Sequence, residues 1–253
     1  MIVSAEAEIR LPCGVKLNQS FGSVMHGLLI EQMDPEWAEA MHQEAVRPYS
    51  QYLTVEDGRV LWRIGTLTEE AFDHIIVPAM KCRKLYSRQK GFSIGISPFS
   101  VKENISYEEL ARTYWTEPRR IHHVDITFLT STSFKTNGGY AVFPDPFLLF
   151  RNLIRKWNRY SDASSLEEKD LANHMAEAMQ ITDYHLHMHP YSLEGTRINA
   201  FRGTLRLGFF KTDMAARLTA MLAAYACFAG YGVKTALGMG GTVSHPVYWN
   251  KEE

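Results

Sequence analysis

Residues 230–241 read Gly-Tyr-Gly-Val-Lys-Thr-Ala-Leu-Gly-Met-Gly-Gly, five glycines in twelve residues with a single cation, Lys234. Nothing else in the chain restricts the backbone so tightly. Glycine takes positive φ at little cost and lets a neighbouring backbone or ligand approach without a Cβ between them. Such a run predicts a loop that wraps an anion with bare amides, with Gly230, Gly232, Gly238 and Gly240 as its frame and Lys234 and Thr235 as its side-chain contacts. A helix C-cap followed by a tight turn would use the same residues for structure alone. Context narrows the kind of loop. Dinucleotide and Walker loops follow a strand and open a helix, whereas this one follows a helical run, Thr212 to Phe228, and precedes a short β-like tail. Val233 also stands where the Walker pattern needs a glycine before Lys-Thr, so a nucleotide hydrolase is disfavoured.

Periodicity orders the rest. Ile2 to Ile9 alternates, with Val3, Ala5, Ala7 and Ile9 against Ser4, Glu6 and Glu8, the period of a half-buried strand. A helix is predicted from about Asn18, where Phe21, Val24, Met25, Leu28 and Leu29 share one face. His26 falls roughly 130° from the centre of that face, pointing away from the core. Asp34-Pro35 opens a second helix, with Trp37, Met41 and Ala45 inward and His42 off the seam. A hairpin follows, Tyr52 to Val55 and Val60 to Ile64, turned at Asp57-Gly58. A helix over Thr68 to Met80 and extended segments from Cys82 to Val101 come next, then a helix from Ser106 running into a linker at Pro118.

From there the order restarts. A strand over Ile121 to Leu129 leads to helices over Pro144 to Tyr160 and Ser164 to Met179. In the first of these helices Arg151, Arg155, Lys156 and Arg159 lie outside the apolar face. Two extended runs within 181–210, parted near Glu194-Gly195, precede the long apolar helix, the glycine loop and a last strand around Thr242 to Trp249. Strand, helix, strand, strand, helix, strand thus occurs twice. The expectation is an α+β chain of two tandem ferredoxin-like (RRM-like, βαββαβ) units with antiparallel sheets, an N-terminal domain over 1–117 and a C-terminal domain over 118–253.

With 253 residues and 45% hydrophobic content the chain can bury a substantial core. The opening Met1 to Leu11 carries Glu6 and Glu8 and no basic leader, so no signal peptide is expected, and the apolar run Leu218 to Gly230 is too short to span a bilayer. Three scattered cysteines, Cys13, Cys82 and Cys227, point to a reducing, cytoplasmic setting rather than a disulfide framework or zinc cluster. A formal charge of −1 argues against indiscriminate coating of nucleic acid, so any RNA contact must come from local basic patches.

The glycine spacing, Gly-bulky-Gly, five residues, Gly-bulky-Gly, resembles the C-terminal loop of the repeat-RNA-processing endoribonucleases of CRISPR systems, in the RAMP superfamily. The likeness covers most of the chain. It includes Phe21-Gly22-Ser23-Val24-Met25-His26-Gly27, Met41-His42-Gln43, Arg47-Pro48-Tyr49-Ser50, Thr130 to Lys135 with Ser131 where proline is frequent, Phe143-Pro144-Asp145-Pro146, Asn152 to Asn158 and Phe201-Arg202-Gly203. The resemblance implies cleavage of precursor CRISPR RNA within its repeats, without metal or other cofactor. It also implies transfer of the product to an effector complex, no membrane contact, and a monomer or homodimer. In such a reaction the 2′-hydroxyl attacks the adjacent phosphorus and leaves 2′,3′-cyclic phosphate and 5′-hydroxyl ends. Two imidazoles near their ordinary pKa and one cation suffice to move the protons and hold the charge. His26, His42 and Arg47 match that set, with base and acid unassigned between the histidines.

Other features compete. His185, His187 and His189 share one face of a strand and could hold a transition metal, although no carboxylate or cysteine has matching spacing. Lys81, Arg83, Lys84, Arg88 and Lys90, with Tyr86 and Phe92 between them, could track an RNA backbone or simply be solvated. Arg155 on that helix is a further candidate RNA contact, as are Arg119 and Arg120 at the junction of the halves, which could lie in the cleft between them. A noncatalytic RAMP subunit that only binds guide RNA is the leading alternative, and a metal-dependent hydrolase the third.

Overall fold

Alternation places β1 (Ile2–Arg10) in the middle of the first sheet, its odd-numbered residues Val3, Ala5, Ala7 and Ile9 buried in one core. The structure is a computed structural model that describes the chain apart from residues 19–20, 45, 164, 167–169, 194, 211–212 and 250–253 and the side chain of His42. Helix α1 (Phe21–Ile30) follows, then α2 (Pro35–Gln43), begun by Asp34, whose carboxylate accepts from the amides of Glu36 and Trp37 at 3.1 Å. Helix α2 ends before Ala45, which lies outside the described residues. The hairpin β2 (Tyr49–Glu56) and β3 (Arg59–Thr66) turns at Asp57-Gly58, both at positive φ, as its right-handed twist requires.

The single helix expected next is instead broken. α3 (Glu69–Ala71) passes through a π turn at Phe72–Ile76 into α4 (Val77–Lys81), and Pro78 supplies no amide to continue the ladder. Strands β4 (Lys84–Ser87), β5 (Phe92–Ile96) and β6 (Ser100–Ile105) complete an antiparallel sheet of order β2-β3-β1-β5-β4, with β6 also on β1. Helix α5 (Tyr107–Trp115), capped by Ser106, leads out of it.

The second half begins with β7 (Ile121–Thr132) and a small hairpin, β8 (Phe134–Thr136) and β9 (Gly139–Ala141). Then come α6 (Pro146–Tyr160), α7 (Leu171–Ala178), β10 (Met179–Met188), the hairpin β11 (Tyr191–Leu193) and β12 (Thr196–Ile198), β13 (Phe201–Phe209), α8 (Asp213–Ala229) and β14 (Thr242–Tyr248). The sheet order is β10-β13-β7-β14, all antiparallel. In both sheets the first strand sits between the third and the last.

Helix α8 joins the two. It is apolar on nearly every side, which marks a helix with no solvent face. Ala216, Ala220, Ala223 and Ala226 let strands come close, while Leu222, Tyr225 and Phe228 fill the core. It packs on β7 and β14 of its own sheet and on β1, β2 and β3 of the first. Ser50 of β2 donates to the carbonyl of Phe228 at 2.6 Å, in the interior. Helix α5 also packs on α8, so Tyr107 and Leu110 belong to the second core although they precede residue 118. Among the described residues no helix is long and apolar enough to cross a membrane, and Cys13, Cys82 and Cys227 are free thiols.

Candidate active site

The glycine loop is sewn onto the end of β7. Gly240 donates its amide to Ser131 at 2.9 Å, Gly241 to the Thr130 hydroxyl at 2.9 Å, Val233 to Ser133 at 3.0 Å and Tyr231 to Gly240 at 2.9 Å. Gly230 bonds back to Ala226 of α8 at 2.7 Å. The expected cradle is therefore corrected at two positions: the amides of Gly230 and Gly240 face protein carbonyls, not an anion. Gly238, at φ +100°, meets Gly22 of α1, where an added Cβ would lie 2.6 Å from the Leu237 carbonyl and 2.8 Å from Gly238 Cα. Those glycines seat the loop against α1. Gln51 of β2 fastens the same junction, donating to the carbonyls of Gly22 at 2.8 Å and Ala236 at 2.9 Å, while Trp62 donates to its oxygen.

The remainder of the loop, Gly232 to Leu237, forms one wall of a cavity of about 680 Å³. Six cations line it, Arg47, Lys135, Arg151, Arg155, Lys156 and Lys234, with Glu44 as the carboxylate among them. A concave surface of one dominant sign focuses its field on an anion. Helix α6 supplies half of these charges because Leu149, Phe150, Leu153 and Trp157 bury its other side. Lys156, expected on the outer face, is buried at 4% exposure. Its Nζ donates to the Ala229 carbonyl at 2.5 Å and to Thr235 Oγ1 at 3.0 Å. Burial, reinforced by the neighbouring Arg155 charge, pushes its ammonium down to about 7.

Arg47 joins this cavity to the first half. Its Nη1 lies 3.0 Å from Nε2 of His26, whose Nδ1 is 3.2 Å from the Tyr49 hydroxyl. A guanidinium can only donate, so Nε2 accepts, which makes His26 neutral with its proton on Nδ1 facing Tyr49. His26 is 8% exposed rather than turned to solvent, because β2 covers that side of α1 and Tyr49 stacks on the imidazole. Burial raises the Tyr49 hydroxyl to about 12 in spite of Arg47 beside it. His42 is carried on α2, and its side chain lies outside the described residues.

A family model described as CRISPR-associated endoribonuclease Cas6 matches residues 126–242, from β7 to the first residue of β14. The CRISPR-associated endoribonuclease Cas6 of Streptococcus thermophilus is 28% identical over 226 residues, covering 88% of this chain and 90% of that one. That of Mycobacterium tuberculosis is 28% identical over 233 residues, covering 90% and 73%. Over most of its length the chain is similar to Cas6 endoribonucleases. The fold agrees: a product complex of Cas6 TTHB231 matches with a TM-score of 0.77 at 22% identity, over 97% of this chain and all of that one. A structure described as a RAMP protein binding different RNA substrates matches with a TM-score of 0.62 at 11% identity, over 96% and 99%.

Other residues that the sequence suggested for this chain are dispersed. Lys81, Arg83 and Arg88 lie on and beside α4 and β4 and do not line the cavity, and Arg83 donates to the Met80 and Cys82 carbonyls. Arg119 and Arg120 stand before β7, at the end opposite the glycine loop, and do not line the cavity. The loop meets β7 at Leu129 to Ser131, so a stretch of about 30 Å of strand separates it from Arg120. Arg119 is held by Glu117 at 2.8 Å and lies over the Tyr248 ring. Among the described residues no group of three or more His, Cys, Asp or Glu side chains is placed to hold a metal. His189 instead pairs its Nδ1 with the Ser131 hydroxyl at 2.8 Å. Sequence reasoning missed Lys135 and Arg151 as cavity residues and Tyr49 as the partner of His26. For Arg151 the signal was present, since it precedes Arg155 by one helical turn on the polar face of α6.

Proposed function

We propose that this chain is a Cas6 endoribonuclease that processes precursor CRISPR RNA, cutting within each repeat by metal-independent attack of the 2′-hydroxyl and passing the product to an effector complex. The two halves, 1–117 and 118–253, are read as tandem ferredoxin-like units that meet at α8 and form the RNA-binding cleft between them. One observation carries the reading. Arg47 both lines the cationic cavity and occupies the lone pair of His26, so a phosphate entering the cavity competes for the guanidinium and leaves Nε2 ready to exchange a proton. Arg47 then faces the charge that develops on the phosphorane, and Tyr49 holds the imidazole by Nδ1. His42 is the second acid–base candidate. Lys234 and Arg155 bind phosphates around the cut.

The test uses repeat RNA with and without a 2′-deoxy nucleotide at the cut site, both in EDTA. The normal RNA is expected to be cut to a cyclic phosphate end and the deoxy RNA to be bound intact. Cleavage of the deoxy RNA, or arrest of normal cleavage by EDTA, contradicts the mechanism.

A further inference from the structure

We propose that Lys156 is a positioning residue for RNA binding. Its buried ammonium ties the end of α8 to the wall of the glycine loop, and RNA phosphate in the cavity fixes a proton on it. This rests on the reading that the cavity receives RNA phosphates.

Three observations carry the proposal. Nζ bonds the Ala229 carbonyl at 2.5 Å, at the negative end of the α8 dipole, and Thr235 Oγ1 at 3.0 Å, at the start of the turn Thr235–Leu237 that lines the cavity. The side chain is 4% exposed, so it contributes to the cavity without meeting bulk water. The cavity it lines is unbalanced in charge: Arg151 and Arg155 from α6, Lys234 from the loop, Lys135 from β8, and Arg47 against Glu44 from the segment after α2.

In free protein, burial first and then the Arg155 charge oppose its charge, leaving the ammonium near half-protonation at neutral pH. Phosphates neutralise the cations and favour the charged form. Free protein is therefore less protonated than the complex, binding takes up a proton, and affinity falls as pH rises through 7. A neutral amine donates more weakly to the Ala229 carbonyl and loosens the loop. The chemistry step itself needs no change.

The probe is repeat RNA with a 2′-deoxy nucleotide at the cut site. Titration calorimetry of the unaltered protein at pH 8, in two buffers of different ionisation enthalpy, is expected to show uptake of up to one proton, and zero uptake overturns the proposal. Lys156→Arg keeps a fixed charge, so the ratio of wild-type to variant Kd should rise about tenfold from pH 6 to pH 8, with histidine titrations cancelling in the ratio. A flat ratio overturns it. Lys156→Met, with its fold verified by thermal unfolding, should bind at least tenfold more weakly than wild type at pH 6, and equal binding overturns it. Arg151→Ala with Arg155→Ala separates the two readings: unchanged RNA binding removes the cavity as the RNA site and this proposal with it. Weakened binding with a flat ratio removes only the role of Lys156.

Discussion

Arg47 and His26 form the most consequential contact for the proposed mechanism, because a permanent donor sits on the atom that mechanism needs as a proton acceptor. The pair is expected to be inactive without RNA and to separate on binding. His26→Ala should lower the single-turnover cleavage rate by about 10²–10⁴-fold, the usual worth of one acid–base group, while RNA affinity stays within about threefold. Arg47→Ala should weaken both rate and binding, since Arg47 also lines the cavity. Wild-type cleavage by His26→Ala would make the imidazole a packing group between α1 and β2. At this scale the sequence was partly legible. His26, His42 and Arg47 stood out through the resemblance, and the polar side of α6 named Arg155. Lys156 did not, because helical periodicity assigns a lysine on that side to water. The carbonyl and hydroxyl that let it be buried come from Ala229 and Thr235, more than 70 positions away.

The element that organises the site is the glycine loop, and packing explains its glycines better than anion binding alone. Gly22 and Gly238 touch backbone to backbone, which sets the distance from the loop to the helix carrying His26 one turn later. Gly22→Ala places a methyl against two backbone atoms that cannot rotate aside, and overpacking of this kind costs about 1–3 kcal/mol. Thermal unfolding should show that loss, and cleavage should fall further than RNA binding, since α1 and the loop move apart. Unchanged stability and activity would mean that the junction yields freely. Elements with strong periodicity were readable from sequence, as β1, α1 and α8 show. Weaker ones were not. The hairpin β8–β9 escaped although Asn137-Gly138 at its turn, both at positive φ, is a strong local signal, because three-residue strands carry almost no alternation. The break at Phe72–Ile76 is set by one missing amide.

At the level of the whole molecule, a formal charge of −1 coexists with a cavity lined by six cations, so RNA binding should depend on salt only through that local cluster. Each phosphate contact on single-stranded nucleic acid contributes about 0.7 to the slope of log K against log salt. Arg151→Ala combined with Arg155→Ala should therefore reduce the slope by about 1.4, measured with uncleavable repeat RNA between 50 and 300 mM salt as a rough working range. Arg119→Ala combined with Arg120→Ala is the contrasting pair. Arg119 already spends its charge on Glu117, and both lie at the far end of β7, so their removal should leave the slope unchanged. If that pair instead flattens the slope as much as the cavity pair, the RNA runs the length of the second sheet and the cavity is one stop along its path. If only the cavity pair acts, the polarity of β7 becomes functional: one end builds the site from the glycine loop, Ser131 and Thr130, and the other closes the fold on α5 and β14.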